Sequence, residues 1–247
     1  FGTVTPDYLM PSAACYLQAK LGLRNVMAFD INAACSGFVY GLSIADQFIR
    51  TGHYKTVLVV GAEVLHPKVD YADRGTCILF GDGAGAAVVT RTEDEQGSLI
   101  MSSHSHADGT LADLLYVPSG GAAIPFSQET LDQGGVFVKM KGREIFKHAV
   151  QTMSHCCQEA LDANGMTKDD IDWVIPHQAN VRIIEAVAKR FDIPMEKVIV
   201  RIENMGNTSA ATIPIAMGDS VNGGQIKRGD LVLLTAFGAG LTSGSVL

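Results

Sequence analysis

Val26-Met27-Ala28-Phe29-Asp30-Ile31-Asn32-Ala33-Ala34-Cys35-Ser36-Gly37-Phe38 is the stretch that decides the fold class. Val26 to Ile31 is apolar and has the length of a buried strand. Asn32 to Ala34 is a turn of small residues. From Cys35 the apolar spacing becomes helical, through Phe38, Leu42, Ala45 and Ile49, and Gly52 ends it. Thr56 to Val60 follows, apolar on both faces like a central strand of a parallel sheet. Strand, turn, helix and strand in this order make an α/β unit. Cys35 sits at its sharpest bend, with free N–H groups of a helix start behind it. A helix dipole there favours thiolate over thiol and would make the sulfur a nucleophile. A small buried core cysteine has the same surroundings in sequence, so this stretch alone leaves both readings open.

Further elements extend the pattern in both directions. Ser12 to Leu21 reads as an amphipathic helix closed by Gly22, and Cys77 to Phe80 and Ala86 to Thr90 as strands around the turn Gly81-Asp82-Gly83-Ala84-Gly85. That turn fits G-x-G-x-x-A, but a dinucleotide site needs a helix after it, and Ala87 to Thr90 reads as strand. Glu93 to Gln96 is a charged loop and divides the chain into halves 1–95 and 96–247. Residues 104–135 read as loop and hairpin. Within them His104-Ser105-His106 lacks a third metal ligand nearby, so a surface loop is expected. Then come a helix (Arg143 to Ala163, ended by Asn164-Gly165), a strand (Asp172 to Ile175), a helix (Val181 to Phe191), a strand (Val198 to Ile202), a helix (Thr208 to Val221) and a strand (Leu231 to Ala236).

A repeat runs through this order. Cys35 heads a helix followed by an apolar strand, and so does Asn207. Two such units facing one another would bring Cys35 and Asn207 to corresponding places at a shared centre. His177, between a strand and a helix, falls at a strand's C-terminal end, where ligands of open α/β sheets collect. Taken singly, His177 also fits a structural histidine and Asn207 an ordinary cap or loop residue.

Composition sets bounds. The chain has 247 residues, 47% hydrophobic and 18% charged, with 26 glycines. Its net charge of −7 argues against a general nucleic-acid binder, which needs a basic surface. Five cysteines without a C-x-x-C pair fit neither a disulfide framework nor a zinc site, and a reducing cytoplasm is expected. No apolar run approaches the ~20 residues of a membrane span, and no signal peptide is visible. The chain opens at Phe1 without Met and ends in the apolar run Gly244-Ser245-Val246-Leu247, as expected of a piece of a longer protein.

The motifs together are more specific than any one of them. Asn32 to Phe38, then His177-Gln178-Ala179-Asn180-Val181-Arg182-Ile183, then Gly206-Asn207-Thr208-Ser209-Ala210-Ala211 resemble, in order and spacing, the β-ketoacyl-acyl-carrier-protein synthase III family. Arg74-Gly75-Thr76, Gly81 to Ala86 and Phe237-Gly238-Ala239-Gly240 agree with it. The resemblance covers the whole chain and implies that roughly the first quarter of such an enzyme is lacking. It implies a thiolase-like α/β fold: two related halves with mixed five-stranded sheets in five layers, α-β-α-β-α.

It further implies an acyltransferase that starts fatty acid biosynthesis by condensing an acyl-CoA with malonyl-acyl-carrier protein, using Cys35, His177 and Asn207. The oxyanion hole would be the N–H groups of Cys35 and Ala239. Many family members have Gly at the latter place. Arg74, Gly142 and Asn180 match the CoA and pantetheine channel. Lys147, Arg182, Lys189 and Arg190 match the surface that docks the acidic carrier protein. Met10 matches a position that closes the acyl pocket across a homodimer. No separate cofactor or metal is implied. Rival relatives fit less well: a degradative thiolase needs a second cysteine in the last glycine loop, and carrier-primed synthases carry a second histidine where Asn207 stands. A relative from polyketide or secondary metabolism, or a silent interaction subunit, stays open as the alternative.

Overall fold

The computed structural model describes residues 1–92 and 98–247. The expected boundary loop at Glu93 to Gln96 lies outside them. Seven α-helices are described: α1 (Ala13–Lys20), α2 (Gly37–Arg50), α3 (Gln128–Asp132), α4 (Gly142–Asn164), α5 (Val181–Phe191), α6 (Ile202–Met205) and α7 (Thr212–Asn222). The strands are β1 (Thr56–Glu63), β2 (Gly83–Thr90), β3 (Ser103–Ala107), β4 (Leu115–Tyr116), β5 (Lys139–Met140), β6 (Trp173–Pro176), β7 (Val232–Gly238) and β8 (Thr242–Val246).

One sheet has the order β3-β8-β7-β6, with only β6 and β7 parallel. Val198 adds a single bridge beside β6. A second sheet pairs β1 with β2 antiparallel, Gly2 bridges both Gly61 of β1 and Ile31, and the short β4 and β5 form a separate antiparallel pair. The expected five-stranded sheets are therefore four strands and a bridge in one half, and two strands and two bridges in the other. Between the sheets lie α2 and α7, whose Phe38, Val39, Leu42, Ile213 and Ala216 share one buried cluster with Val59, Ile175 and Leu234. Helices α4 and α5 cover the far face of the larger sheet, where Cys157, Leu161, Ile184 and Phe191 pack on Val174 and Leu233. On the outer face of the smaller sheet Leu58 and Val88 stay 40% and 63% exposed.

The repeat is present in three dimensions, with a corrected register. Short 3-10 turns at Ala34–Ser36 and Ser209–Ala211 each open on a residue of positive φ, Ala34 at 46° and Ser209 at 50°. Helices α2 and α7 follow directly. Ala34 thus corresponds to Ser209, Cys35 to Ala210 and Asn32 to Asn207, so Cys35 and Asn207 are not equivalent positions.

Four sequence expectations change. Val26 to Ile31 is extended but not a buried strand. Only Ile31 is bridged, Val26 and Met27 are 47% and 49% exposed, and apolar content makes no ladder without a partner on each side. Cys77 to Phe80 is curled rather than extended, because Asp73 gathers the chain. Its carboxylate accepts from Gly75 N and Thr76 Oγ1, and its carbonyl from the N–H groups of Thr76 and Cys77. Val198 to Ile202 is no strand either. The Gln178 side chain takes the ladder partners' place, donating to the Ile199 carbonyl and accepting from Arg201 N. And β1 runs antiparallel to β2, its one parallel contact being Gly2.

Strand β8 is an element that apolar patterning misses. It reads Thr-Ser-Gly-Ser-Val, yet Ser243 and Ser245 are buried, and Ser245 Oγ donates to the Cys156 carbonyl at 2.8 Å. The glycines of Gly81 to Gly85 also differ from expectation, since Gly83 and Gly85 lie within β2 itself. A Cβ on Gly85 would stand 2.8 Å from backbone atoms of Pro214 and Ile215, so these glycines let α7 approach the sheet. Asp82 caps the neighbouring turn, accepting from Leu65 N and His66 N and pairing with the His66 ring at 2.5 Å.

Candidate active site

The first repeat turn, the residue Asn207 ahead of the second, and the carboxyl end of the β6–β7 pair meet at one cavity of about 320 Å³, with Cys35, His177, Asn207 and Gly238 in its wall. Most of the remaining wall is apolar, including Leu79, Phe80, Ile145, Met153 and Phe237. Cys35 arrives on the 3-10 turn ahead of α2, with 8% of its surface exposed. Gly238 ends β7 against it: a Cβ there would lie 2.6 Å from the Cys35 amide nitrogen, so only glycine fits. Thr242 Oγ1 ties the two segments together by donating to the Ala33 carbonyl at 2.7 Å.

His177 follows β6, as expected from sequence, and its N–H donates to the Thr235 carbonyl of β7. The side chain is buried, and Nδ1 lies 2.6 Å from Thr212 Oγ1 at the first turn of α7. Nε2 has no hydrogen-bond partner among the described residues. Burial pushes the imidazole pKa down to about 3, so the ring is neutral across the ordinary pH range.

Asn207 is fixed by its backbone and by its side chain. Its N–H donates to the Leu79 carbonyl, its carbonyl accepts from Gly81 N, and its Oδ1 accepts from Ser209 N at 2.9 Å. With Oδ1 engaged, the amide end left to the cavity is Nδ2, a donor.

The environment of Cys35 corrects one expectation. Burial pushes its thiol up to about 12, against the lowering effect of the Ser209 hydroxyl and reinforced by the Glu63 charge. Desolvation outweighs the helix start, which lies beyond the 3-10 turn, and the resting group is a thiol. Glu63 is itself buried and raised by that burial. Its carboxylate holds residues 3 to 5 through Thr3 Oγ1, Val4 N and Thr5 Oγ1. Neither Glu63 nor Thr212 has a sequence signal: one reads as the end of a strand, the other as an ordinary helix-start hydroxyl.

The remaining expected site residues divide by place. Gly142 and Asn180 line the cavity, and Asn180 also caps α5 by accepting from Arg182 N. Arg74 is exposed beside Gly75, which does line it. Ala239 is one residue past the lining Gly238. Met10 is 85% exposed and is not part of the wall. Helices α4 and α5 run side by side in the same direction from the cavity, since Gly142 and Ile145 share its wall with Asn180 and Ile183, while Ser154 and Gln158 line a surface cleft with Arg190 and Phe191. Lys147 and Arg182 are exposed, each next in sequence to a wall residue, Phe146 and Ile183. Lys189 and Arg190 stand two turns further along α5, about 10 Å away at 1.5 Å per residue. His104 and His106 are not in a free loop but on β3. The sequence reading that no third group stands nearby is also corrected, because Glu159 bridges both rings and Cys156 lies close. All five cysteines are free.

Relatives decide which family this geometry belongs to. A 3-oxoacyl-[acyl-carrier-protein] synthase III family model matches residues 29–109, and the model of the C-terminal part of the same family matches residues 161–247. The β-ketoacyl-[acyl-carrier-protein] synthase III of Alkalilimnicola ehrlichii is 53% identical over all of this chain and 75% of its own length. The chain belongs to the synthase III family. Its members are condensing acyltransferases of fatty acid biosynthesis, with the thiolase-like fold. The solved synthase III of Aquifex aeolicus superposes with a TM-score of 0.90 at 51% identity, over 99% of this chain and 74% of that one. The synthase III of Pseudomonas aeruginosa gives 0.91 at 38% identity, over the same shares. This chain thus spans about three quarters of the synthase III enzymes it matches. No helix among the described residues is long and apolar enough to cross a membrane.

Proposed function

We propose that this chain carries out the synthase III reaction with Cys35 as nucleophile and His177 and Asn207 as donors to the second substrate. The observation that carries the reading is the convergence of those three side chains, from three separate segments, on one apolar-walled cavity. In the first half-reaction Cys35 sulfur attacks the acyl-CoA carbonyl, the C–S bond to CoA breaks, and an acyl-Cys35 remains. In the second, malonyl-acyl-carrier protein loses carbon dioxide. The electron pair left on carbon is delocalised onto the thioester oxygen, where Asn207 Nδ2 and His177 Nε2 would donate. That carbon attacks the acyl-Cys35 carbonyl and expels the thiolate, completing a ping-pong cycle.

Acylation starts from a neutral thiol, so the proton of Cys35 has to leave as the C–S bond forms. The N–H of Cys35, with Ala239 or its cavity-lining neighbour Gly238, is the proposed oxyanion hole. Gly142 and Asn180, both in the cavity wall, would bound the pantetheine arm, with Arg74 outside the wall as a contact for the remainder of CoA. For the carrier protein we favour Lys147 and Arg182 as contacts beside the wall, with Lys189 and Arg190 extending the basic face. The exposed run Tyr8-Leu9-Met10, 60%, 90% and 85% accessible, is the surface proposed for a second copy of the chain. No further cofactor is required by this chemistry, and a cytoplasmic setting suits its free thiols.

Intact mass after incubation with acetyl-CoA is the test. The expected result is the gain of one acetyl group, absent in Cys35→Ser. Folded protein that gains no acyl group from any acyl-CoA would refute the assignment of Cys35.

A further inference from the structure

We propose that Thr212 is a positioning residue that sets the tautomer of His177: its hydroxyl donates to Nδ1, so the proton of the neutral ring stays on Nε2, facing the cavity. This rests on the reading of the site above, in which Nε2 donates to the thioester oxygen during loss of carbon dioxide.

A neutral imidazole has one N–H, and the hydrogen bond at one nitrogen decides which nitrogen carries it. Here the only partner of Nδ1 among the described residues is Thr212 Oγ1, at 2.6 Å. The hydroxyl has a single proton and two possible acceptors, the imidazole and the Ser209 carbonyl at 3.1 Å. If the proton went to Ser209, Thr212 would accept from Nδ1–H and leave Nε2 with a bare lone pair. A bare nitrogen is an acceptor and repels a developing enolate oxygen. Two observations favour the other arrangement. The imidazole contact, at 2.6 Å, is shorter than the ~2.7–3.2 Å usual for an N–H donor and suits an O–H donor. The Ser209 carbonyl already accepts the backbone N–H of Thr212 and is not left unsatisfied.

The arrangement parallels that of Asn207. There the N–H of Ser209 occupies Oδ1 and leaves Nδ2 as the cavity donor. Both donors of the site are thus oriented from one short segment, Ser209 to Thr212, at the start of α7. Thr212 is itself fully buried, so no water competes for its hydroxyl.

The test begins with the unaltered protein. Long-range ¹H–¹⁵N correlation of histidine-labelled protein, with His177 assigned by His177→Asn, should show a protonated Nε2 and an unprotonated Nδ1. The reverse pattern would overturn the proposal outright. Thr212→Val then removes the donor at nearly constant volume, and Thr212→Ser keeps it. The valine variant should still acylate Cys35 from acetyl-CoA but decarboxylate malonyl-acyl-carrier protein about 10²-fold or more slowly, the cost of losing one such donor. The serine variant should recover most of that rate. Equal decarboxylation by all three proteins would also overturn it. Absent acylation of unaltered protein by any acyl-CoA would refute the reading of Cys35 instead, so the two failures are distinguishable. The tautomer measurement on unaltered protein stands whether or not the valine variant folds.

Discussion

At the residue scale the site sets buried, neutral groups against a reaction that makes charge. Cys35 is held as a thiol with its pKa raised to about 12. Its alkylation by iodoacetamide should be slow at neutral pH and should rise steadily toward that pKa, with no plateau near pH 7. A plateau there would show a thiolate already present in the resting protein. On the proposed reading Asn207 acts in the second half-reaction. Asn207→Ala should leave acetylation of Cys35 intact and slow condensation on the order of 10²–10³-fold, read as kcat with malonyl-acyl-carrier protein. That Cys35, His177 and Asn207 belong to one site was legible as a resemblance because three motifs kept their order. Thr212 and Glu63 were not, because a hydroxyl at a helix start and an acid at a strand end carry no signal until their partners are known.

At the element scale, glycine sets how closely α7 meets the first sheet. Gly85→Ala would press a Cβ on Pro214 and Ile215, and Gly61→Ala one on the Ala210 carbonyl. Each should cost about 1–3 kcal/mol, seen as a lowered melting temperature. Gly218→Ala is the control. It lies within α7 with nothing within 4 Å of an added Cβ, and helix propensity should make it neutral to stabilising by about 0.5–1 kcal/mol. Helices α2, α4 and α5 were legible because their apolar faces repeat with the helical period. Strand β8 was not, since its buried serines are paid for by partners distant in sequence, such as the Cys156 carbonyl. Conversely, the apolar run Val26 to Ile31 looked like a strand and has one bridge.

At the scale of the whole molecule, burial of His177 links folding to pH. Its pKa is about 3 in the folded protein against 6.5 for the ordinary imidazole. Between those values the unfolded chain binds a proton that the folded one refuses. The stability it contributes is fully present above pH 6.5 and is lost progressively as pH falls toward 3. His177→Asn should therefore flatten the fall of urea-unfolding free energy over that window. An unchanged slope would place the acid sensitivity elsewhere. Both halves share this vulnerability, because α2 of the first half packs into the same cluster as β6, β7 and β8 of the second. That shared cluster joins the two repeats in one core.

The sequence by itself determined the α/β class, the repeat of turn, helix and strand, and the three motifs that place the chain among condensing enzymes. These are properties of local period and of residue order, which a linear chain displays directly. Only the tertiary structure decided the register of the repeat, pairing Cys35 with Ala210. It also decided the protonation of the buried thiol and imidazole and the hydroxyl that meets Nδ1. Those depend on desolvation and on contacts between residues such as His177 and Thr212, which become neighbours only when the strands and helices close on one another.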